Sequence, residues 1–174
     1  TGASNAAVGA YTMLDNTAGA GNVAMGESAL ADNTTADDNV AIGKDAMRKT
    51  TTGHESVAVG QAALLDNTTG ADLVAIGYRA LYNNTTADSN TAVGFYSSGE
   101  VTTGNNNTAL GRTTLYGCTT GSYNVAIGSR SLLSSTTADA NVAVGYEALK
   151  DTTTGSKATA VGYQALASQT TATD

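Results

Sequence analysis

The sequence predicts an all-β protein, namely a parallel β-solenoid of ten stacked coils with seventeen residues in each coil. The first observation is a glycine that returns every seventeen residues, with no insertion or deletion. The second is a short alternating apolar stretch before each glycine, and the third is a Thr-Thr pair later in nine of the ten units. The repeat glycines are Gly9, Gly26, Gly43, Gly60, Gly77, Gly94, Gly111, Gly128, Gly145 and Gly162.

The stretch before each glycine predicts a β-strand. Counted from the repeat glycine, position −2 is alanine in all ten units, and positions −3 and −1 carry mostly larger residues, as in Val142-Ala143-Val144. Alternate residues of a strand point to opposite faces. We therefore expect the bulky residues to fill each coil and the alanines to form an outer strip against which another chain packs. These alanines are Ala7, Ala24, Ala41, Ala58, Ala75, Ala92, Ala109, Ala126, Ala143 and Ala160.

The rest of each unit predicts a second apolar filler, a second strand and two turns. Position +4 is Leu or Met in nine of the ten units, Ser98 being the exception. Thr occupies position +8 in all ten units and position +9 in nine, which favours a strand with stacked hydroxyls. Asn occupies position −4 in seven units and predicts a ladder of stacked amides. Helix is disfavoured, because Gly, Asn and Thr-Thr interrupt every unit.

The composition fits one continuous array over residues 1–174. A net charge of −7 and a pI near 4.4 argue against nucleic-acid binding, which needs Lys and Arg patches. No apolar run approaches the roughly 20 residues of a membrane span, so we expect no membrane insertion. Thr1 falls at position +9 of a preceding unit, so we expect the array to be an excerpt of a longer protein. Thr-Thr-Ala-Asp also recurs every fifty-one residues, through duplication of a three-unit block or through three non-equivalent environments.

Reactive side chains are scarce, and we expect no catalytic residue, no cofactor and no metal. His54 is the only histidine and lies at a polar corner without an evident partner or pocket. Cys118 is the only cysteine, which excludes an intrachain disulfide. Acidic corners such as Asp37-Asp38 carry oxygens that suit calcium, but the glycine-rich nonapeptide of calcium-binding β-rolls is missing. A solvated acidic face is therefore favoured over a calcium site.

Two phrases carry a resemblance to known repeat proteins. Asn-Val-Ala-Ile-Gly, at 39–43 and 124–128, resembles the head repeat of YadA-like trimeric autotransporter adhesins. The longer phrase at 77–86 is similar to repeats of bacteriophage tail fibres and marine bacterial surface proteins. The resemblance implies a left-handed β-roll in which three chains pack side by side, with the −2 alanines facing the neighbouring chains. The units here are longer than the usual adhesin repeat, and the Thr-Thr pair is not part of its core phrase.

The expected function is that of a structural and adhesive segment in a trimeric extracellular fibre, on a bacterial cell surface or a virion. The expected partners are two further copies of the chain and a host-surface glycan or protein receptor. Ice binding by regularly spaced threonines is an alternative, as is assembly into an extracellular filament. The candidate surface-contact residues are Tyr78, Tyr82, Phe95, Tyr146 and Tyr163.

Overall fold

The computed structural model describes residues 2–171 and confirms a parallel β-solenoid. Ten three-residue strands form one sheet in which each strand pairs in parallel with the next along the chain. The residue that each strand residue faces lies seventeen positions further on, as in the pair Ala75 and Ala92. The described residues contain no helix, and hence none that could cross a membrane. The strands are β1 (Ala6–Val8), β2 (Val23–Met25), β3 (Val40–Ile42), β4 (Val57–Val59), β5 (Val74–Ile76), β6 (Thr91–Val93), β7 (Thr108–Leu110), β8 (Val125–Ile127), β9 (Val142–Val144) and β10 (Thr159–Val161).

The Thr-Thr segment is not the second strand that the sequence predicts. Each unit contains one strand, and the threonines lie in a bend. The backbone N–H groups of Thr68 and Thr69 both donate to the carbonyl of Thr85, at 2.9 and 3.2 Å. Successive N–H groups of an extended strand point in opposite directions and cannot share one acceptor in this way. The bend still continues the ladder from unit to unit, because every +8 carbonyl accepts from the unit before it.

A tight turn follows each repeat glycine and sets the width of the solenoid. Positions +2 and +4 have positive φ in every unit, for example 53° at Arg79 and 49° at Leu81. These left-handed residues alternate with ordinary ones, so the side chains at +3 and +4 both enter the interior. Ala80 and Leu81 are accordingly both fully buried. The left-handed conformation costs a non-glycine residue roughly 1–2 kcal/mol, and burial of the leucine offsets this cost.

The strand faces are the reverse of those expected from the sequence. The −2 alanines of β2 to β10 are at most 4% exposed in the single chain, whereas Ile76 and Leu110 at position −1 are 40% and 37% exposed. The expectation that the bulky residues fill the coil is therefore wrong. Leu or Met at +4 and the small residue at +3 already occupy most of the narrow interior, and only a methyl group fits opposite them. Alanine is invariant because of crowding within one chain.

The predicted strip of alanines for chain–chain packing is consequently not on the surface. Nine of the ten alanines, all except Ala7, belong to the buried core of the single chain. Ala7 lies in β1, whose three residues are all exposed. A second chain cannot contact a side chain that is enclosed by its own coil. Any packing between chains must use another face.

Asparagines at −4 and threonines at +8 stack from unit to unit as predicted, but their side chains bond mainly to backbone groups rather than to one another. At position −4, the side-chain oxygen of Asn107 accepts the backbone N–H of Asn124 at 3.0 Å, and the amide of Asn107 donates to the carbonyl of Gly121 at 2.9 Å. At position +8, each threonine hydroxyl donates to the carbonyl of the next +8 threonine, as from Thr85 to Thr102 at 3.1 Å. The two ladders lock successive units in register and satisfy polar groups that the coil would otherwise bury unpaired.

Candidate functional site

The first candidate surface is the outward side of the ten-stranded sheet, here called the aliphatic face and defined as positions −3 and −1. Its side chains stack in two rows along the sheet, because every strand is paired in the same register, as Ile76 with Val93 and Val93 with Leu110. Val8 and Val161 are 60% and 69% exposed at its two ends. The other exposed members are Val23, Met25, Ile42, Ile76, Leu110 and Ile127. The −1 row is apolar in all ten strands, and the −3 row is apolar in seven, with Thr91, Thr108 and Thr159 as the exceptions. An exposed apolar row of this length is typical of an interface.

The second candidate surface lies at the turn that follows the glycine. The structure brings together three of the five predicted surface-contact residues, Tyr78, Tyr82 and Phe95, in two successive units. Phe95 is exposed, whereas Tyr78 and Tyr82 are partly buried. The other two, Tyr146 and Tyr163, are exposed and form a separate stacked pair with centroids 5.3 Å apart.

Five aromatic rings form what we call the aromatic cluster, namely Tyr78, Tyr82, Phe95, Tyr96 and Tyr116. Tyr82 is linked to the other four through the guanidinium of Arg79. The rings of Tyr78 and Phe95 stack with centroids 5.3 Å apart and an interplanar angle of 15°. Tyr96 meets both of these rings edge to face, at 5.5 Å from Tyr78 and 4.9 Å from Phe95. Tyr116 extends the cluster into the next unit, 5.9 Å from Tyr96. Such offset and edge-to-face contacts are the favourable geometries for aromatic pairs.

Two arginines lie against these rings. The guanidinium of Arg79 is 4.8 Å from the Tyr82 centroid, 5.3 Å from Tyr78 and 5.5 Å from Tyr96. It also donates a hydrogen bond to the Tyr96 hydroxyl, and this bond raises the pKa of Arg79. Arg112 is 5.7 Å from the Phe95 centroid. Within residues 2–171, neither arginine forms an ion pair with a carboxylate.

One carboxylate, that of Glu100, belongs to the same surface. The Tyr116 hydroxyl donates to its Oε1 at 3.0 Å, and the Asn83 amide donates to its Oε2 at 2.9 Å. The hydrogen bond to Glu100, together with burial, raises the pKa of Tyr116. Both oxygens of Glu100 are thus held by neighbouring side chains rather than by Arg79 or Arg112.

Tyr96, Tyr116, Arg79 and Arg112 were not among the residues singled out from the sequence. A signal for them is present, since residues at equal positions of successive units stack one above another. Tyr78 and Phe95 are both at position +1, and Arg79 and Tyr96 are both at position +2. Aromatic and cationic residues at equal or adjacent positions of successive units are therefore expected to touch.

Within the described residues, the reactive side chains of His54 and Cys118 do not belong to a cluster of this kind. His54 Nδ1 lies 3.6 Å from a carboxylate oxygen of its neighbour Glu55 at an exposed corner. Cys118 is fully buried, and burial raises the pKa of its thiol to about 11. Across residues 2–171, no group of three or more His, Cys, Asp or Glu side chains is placed to hold a metal ion.

Comparison of the chain with protein-family models, with curated proteins and with solved structures gives no match to any of them. A solenoid fold is compatible with many unrelated functions. The function must therefore be argued from the aliphatic face and the aromatic cluster themselves.

Proposed function

We propose that this chain is a structural and adhesive segment of a trimeric extracellular fibre, on a bacterial cell surface or a virion. In this proposal each seventeen-residue unit is one coil of a left-handed β-roll, and ten coils provide length and stiffness. The observation that carries the proposal is the aliphatic face, which follows the sheet from β1 to β10 on one side of the chain. The turn residues on the outside then display side chains to a receptor.

The aliphatic face is the contact that we assign to the trimer, in place of the alanines. Burying apolar side chains contributes about 25 cal/mol per Å² removed from water, and the single chain leaves Val8, Ile76 and Val161 substantially exposed. Parallel copies share one repeat spacing, so the side chains of one can fit between those of the next along the whole array. A narrow coil that buries mainly Ala and Leu gains a second apolar core from this arrangement.

Sedimentation velocity of the unmodified chain and of two triple variants tests the proposal. The first variant, Ile76→Lys with Val93→Lys and Leu110→Lys, places three charges on the aliphatic face. The control, Thr86→Lys with Thr103→Lys and Thr120→Lys, places the same charges in the same three units at exposed +9 positions. We expect trimers for the unmodified chain and the control, and folded monomers for the first variant. A stable monomer of the unmodified chain at tens of micromolar would overturn the trimer.

Ice binding is a second candidate, favoured by one specific observation. The nine +9 threonines are all exposed and recur once in every unit from Thr35 to Thr171. The +8 hydroxyls cannot form a second rank of this kind, because they donate to backbone carbonyls. If this candidate is right, the unmodified chain inhibits ice recrystallisation and the triple Thr→Lys control does not. Absence of inhibition by the unmodified chain would exclude it.

A further inference from the structure

We infer that the aromatic cluster, together with Arg79 and Arg112, binds a saccharide that carries carboxylate or sulfate groups. The inference rests on the proposed function, since it assigns a ligand class to the surface that the fibre displays. It uses residues that the fold itself does not require.

The aromatic cluster is a local specialisation within a repeat. Other units fill position +1 with Glu27, Lys44, Gln61 or Ser129, and their turns close in the same way. Five of the chain's nine Tyr and Phe residues nevertheless gather in the turns that follow Gly77, Gly94 and Gly111. Aromatic and arginine side chains are the residues most enriched in the centres of recognition surfaces.

The charges of this surface favour an anionic ligand. The chain carries a net charge of −7, yet the cluster holds two guanidinium groups that lack a carboxylate partner within the described residues. Glu100 is the nearby carboxylate, and its oxygens already accept from Tyr116 and Asn83. A guanidinium held in place by aromatic rings presents a planar fork that matches carboxylate and sulfate oxygens.

The backbone beneath the cluster favours a saccharide over a peptide. The N–H groups at position +2 are already bonded to the preceding unit, from Arg79 to Gln61 at 3.0 Å and from Tyr96 to Tyr78 at 2.9 Å. An added peptide strand would have no unpaired backbone N–H groups to bond to at this position. A sugar ring does not depend on such groups, because its C–H groups, which carry partial positive charge, are attracted to the electron-rich faces of aromatic rings. Its acidic substituents then reach the arginines.

Calorimetric titration of the full chain with three hexasaccharides tests the inference. The probes are a heparin hexasaccharide for sulfate, a hyaluronan hexasaccharide for carboxylate and neutral hexa-N-acetylchitohexaose, with hexaglutamate as an acidic peptide. We expect micromolar binding of at least one anionic hexasaccharide and no binding of hexa-N-acetylchitohexaose. Phe95→Gln and Arg112→Gln should each weaken that binding about 10-fold, because each removes a side chain that contacts the ligand. The fold should tolerate both changes, since glutamine already occupies position +1 at Gln61. Lys44→Gln removes a cation at the same position outside the cluster and should change nothing.

Three results would overturn the inference. The first is no binding of either anionic hexasaccharide, and the second is unchanged binding of these probes by the Phe95→Gln and Arg112→Gln variants. The third is tighter binding of hexaglutamate than of either anionic hexasaccharide. The last result would assign an acidic peptide to the surface. These outcomes are separate from the sedimentation result. If the chain is a trimer that does not bind the saccharides, only the ligand assignment is wrong. If the chain is a monomer that binds them, only the proposal of a trimeric fibre is wrong.

Discussion

The side-chain oxygen of Asn124 accepts the backbone N–H of Asn141 at 3.0 Å, seventeen residues further on. The amide of Asn124 donates to the carbonyl of Ala138 at 2.8 Å and to the side-chain oxygen of Asn107 at 3.1 Å. One buried side chain thus bonds its own unit and both neighbouring units. An amide offers both a donor and an acceptor, and here both are used.

Replacing Asn124 with Ala should therefore lower the free energy of unfolding by about 2–4 kcal/mol, because buried backbone groups lose their partners. Asn105→Ala is the matched control. Its side-chain oxygen also accepts a backbone N–H, that of Asp88 at 2.7 Å, but Asn105 is partly exposed and water can replace it. We expect a loss below about 1 kcal/mol for the control. Urea denaturation measures both, and equal losses would contradict the ladder's role.

The features that depend on repetition could be predicted from the sequence. A constant period, the Asn at −4 and the Thr at +8 predicted the parallel stacking and both ladders, because equal positions in successive units must lie one above another. The alternation of Val74, Ala75 and Ile76 showed that the two strand faces differ. It did not show which face is inside, since that depends on the width of the coil.

The width of the coil is set by backbone conformations that cannot be predicted from these residue types. Leu81 at φ 49° and Arg79 at φ 53° occupy a region that L-residues usually avoid. This turn brings the leucine inward beside the alanine at +3 and leaves room only for a methyl group from the strand. The aromatic cluster could likewise be predicted only in part, because Tyr96 and Tyr116 join it through contacts between neighbouring units, which are distant in sequence.

The repeat glycine provides a second prediction. Gly77 has φ 132°, and a Cβ built on it would lie 2.5 Å from the carbonyl oxygen of Gly94. Gly77→Ala should therefore lower the unfolding free energy by about 3 kcal/mol, through backbone strain and a clash with rigid backbone.

Gly53→Ala is the control for this substitution. Gly53 has no positive φ, although a Cβ built on it would also lie close to backbone, 2.4 Å from the carbonyl oxygen of Gly70. The fold accommodates alanine at the equivalent positions Ala36, Ala87 and Ala138, so the comparison isolates the effect of the positive φ. Thermal unfolding followed by circular dichroism should show a loss below about 1 kcal/mol for Gly53→Ala. If both substitutions have the same effect, the conformation of the repeat glycine is not what constrains this position.

A third prediction concerns a left-handed residue that is poorly suited to its place. Thr113 is β-branched and has φ 50°. Asparagine adopts this conformation far more readily, so Thr113→Asn should raise the unfolding free energy by about 0.5–1 kcal/mol. Thr108→Asn, in the extended strand β7, should give no gain, because asparagine is disfavoured in strands. A melting temperature for Thr113→Asn at or below that of the unmodified chain would show that the left-handed turn is not strained by threonine.

The last prediction links the buried thiol to pH. Burial raises the pKa of Cys118 to about 11, from the ordinary thiol value of 9.0. Below pH 8 the thiol is protonated in both states and has no effect on pH dependence. Between about pH 9 and pH 11 the unfolded chain releases the proton while the native chain retains it, so the unfolding free energy falls by about 2–3 kcal/mol in total.

Cys118→Ser keeps a small polar side chain at a position where Ser135 is also buried, and it removes this titration. Urea denaturation gives the unfolding free energies of both proteins at pH 8, 9.5 and 10.5. The tyrosines that they share contribute equally to both, so the difference between the two free energies should shift steadily in favour of the serine variant as the pH rises. A constant difference over this range would mean that the thiol is accessible to hydroxide in the native coil.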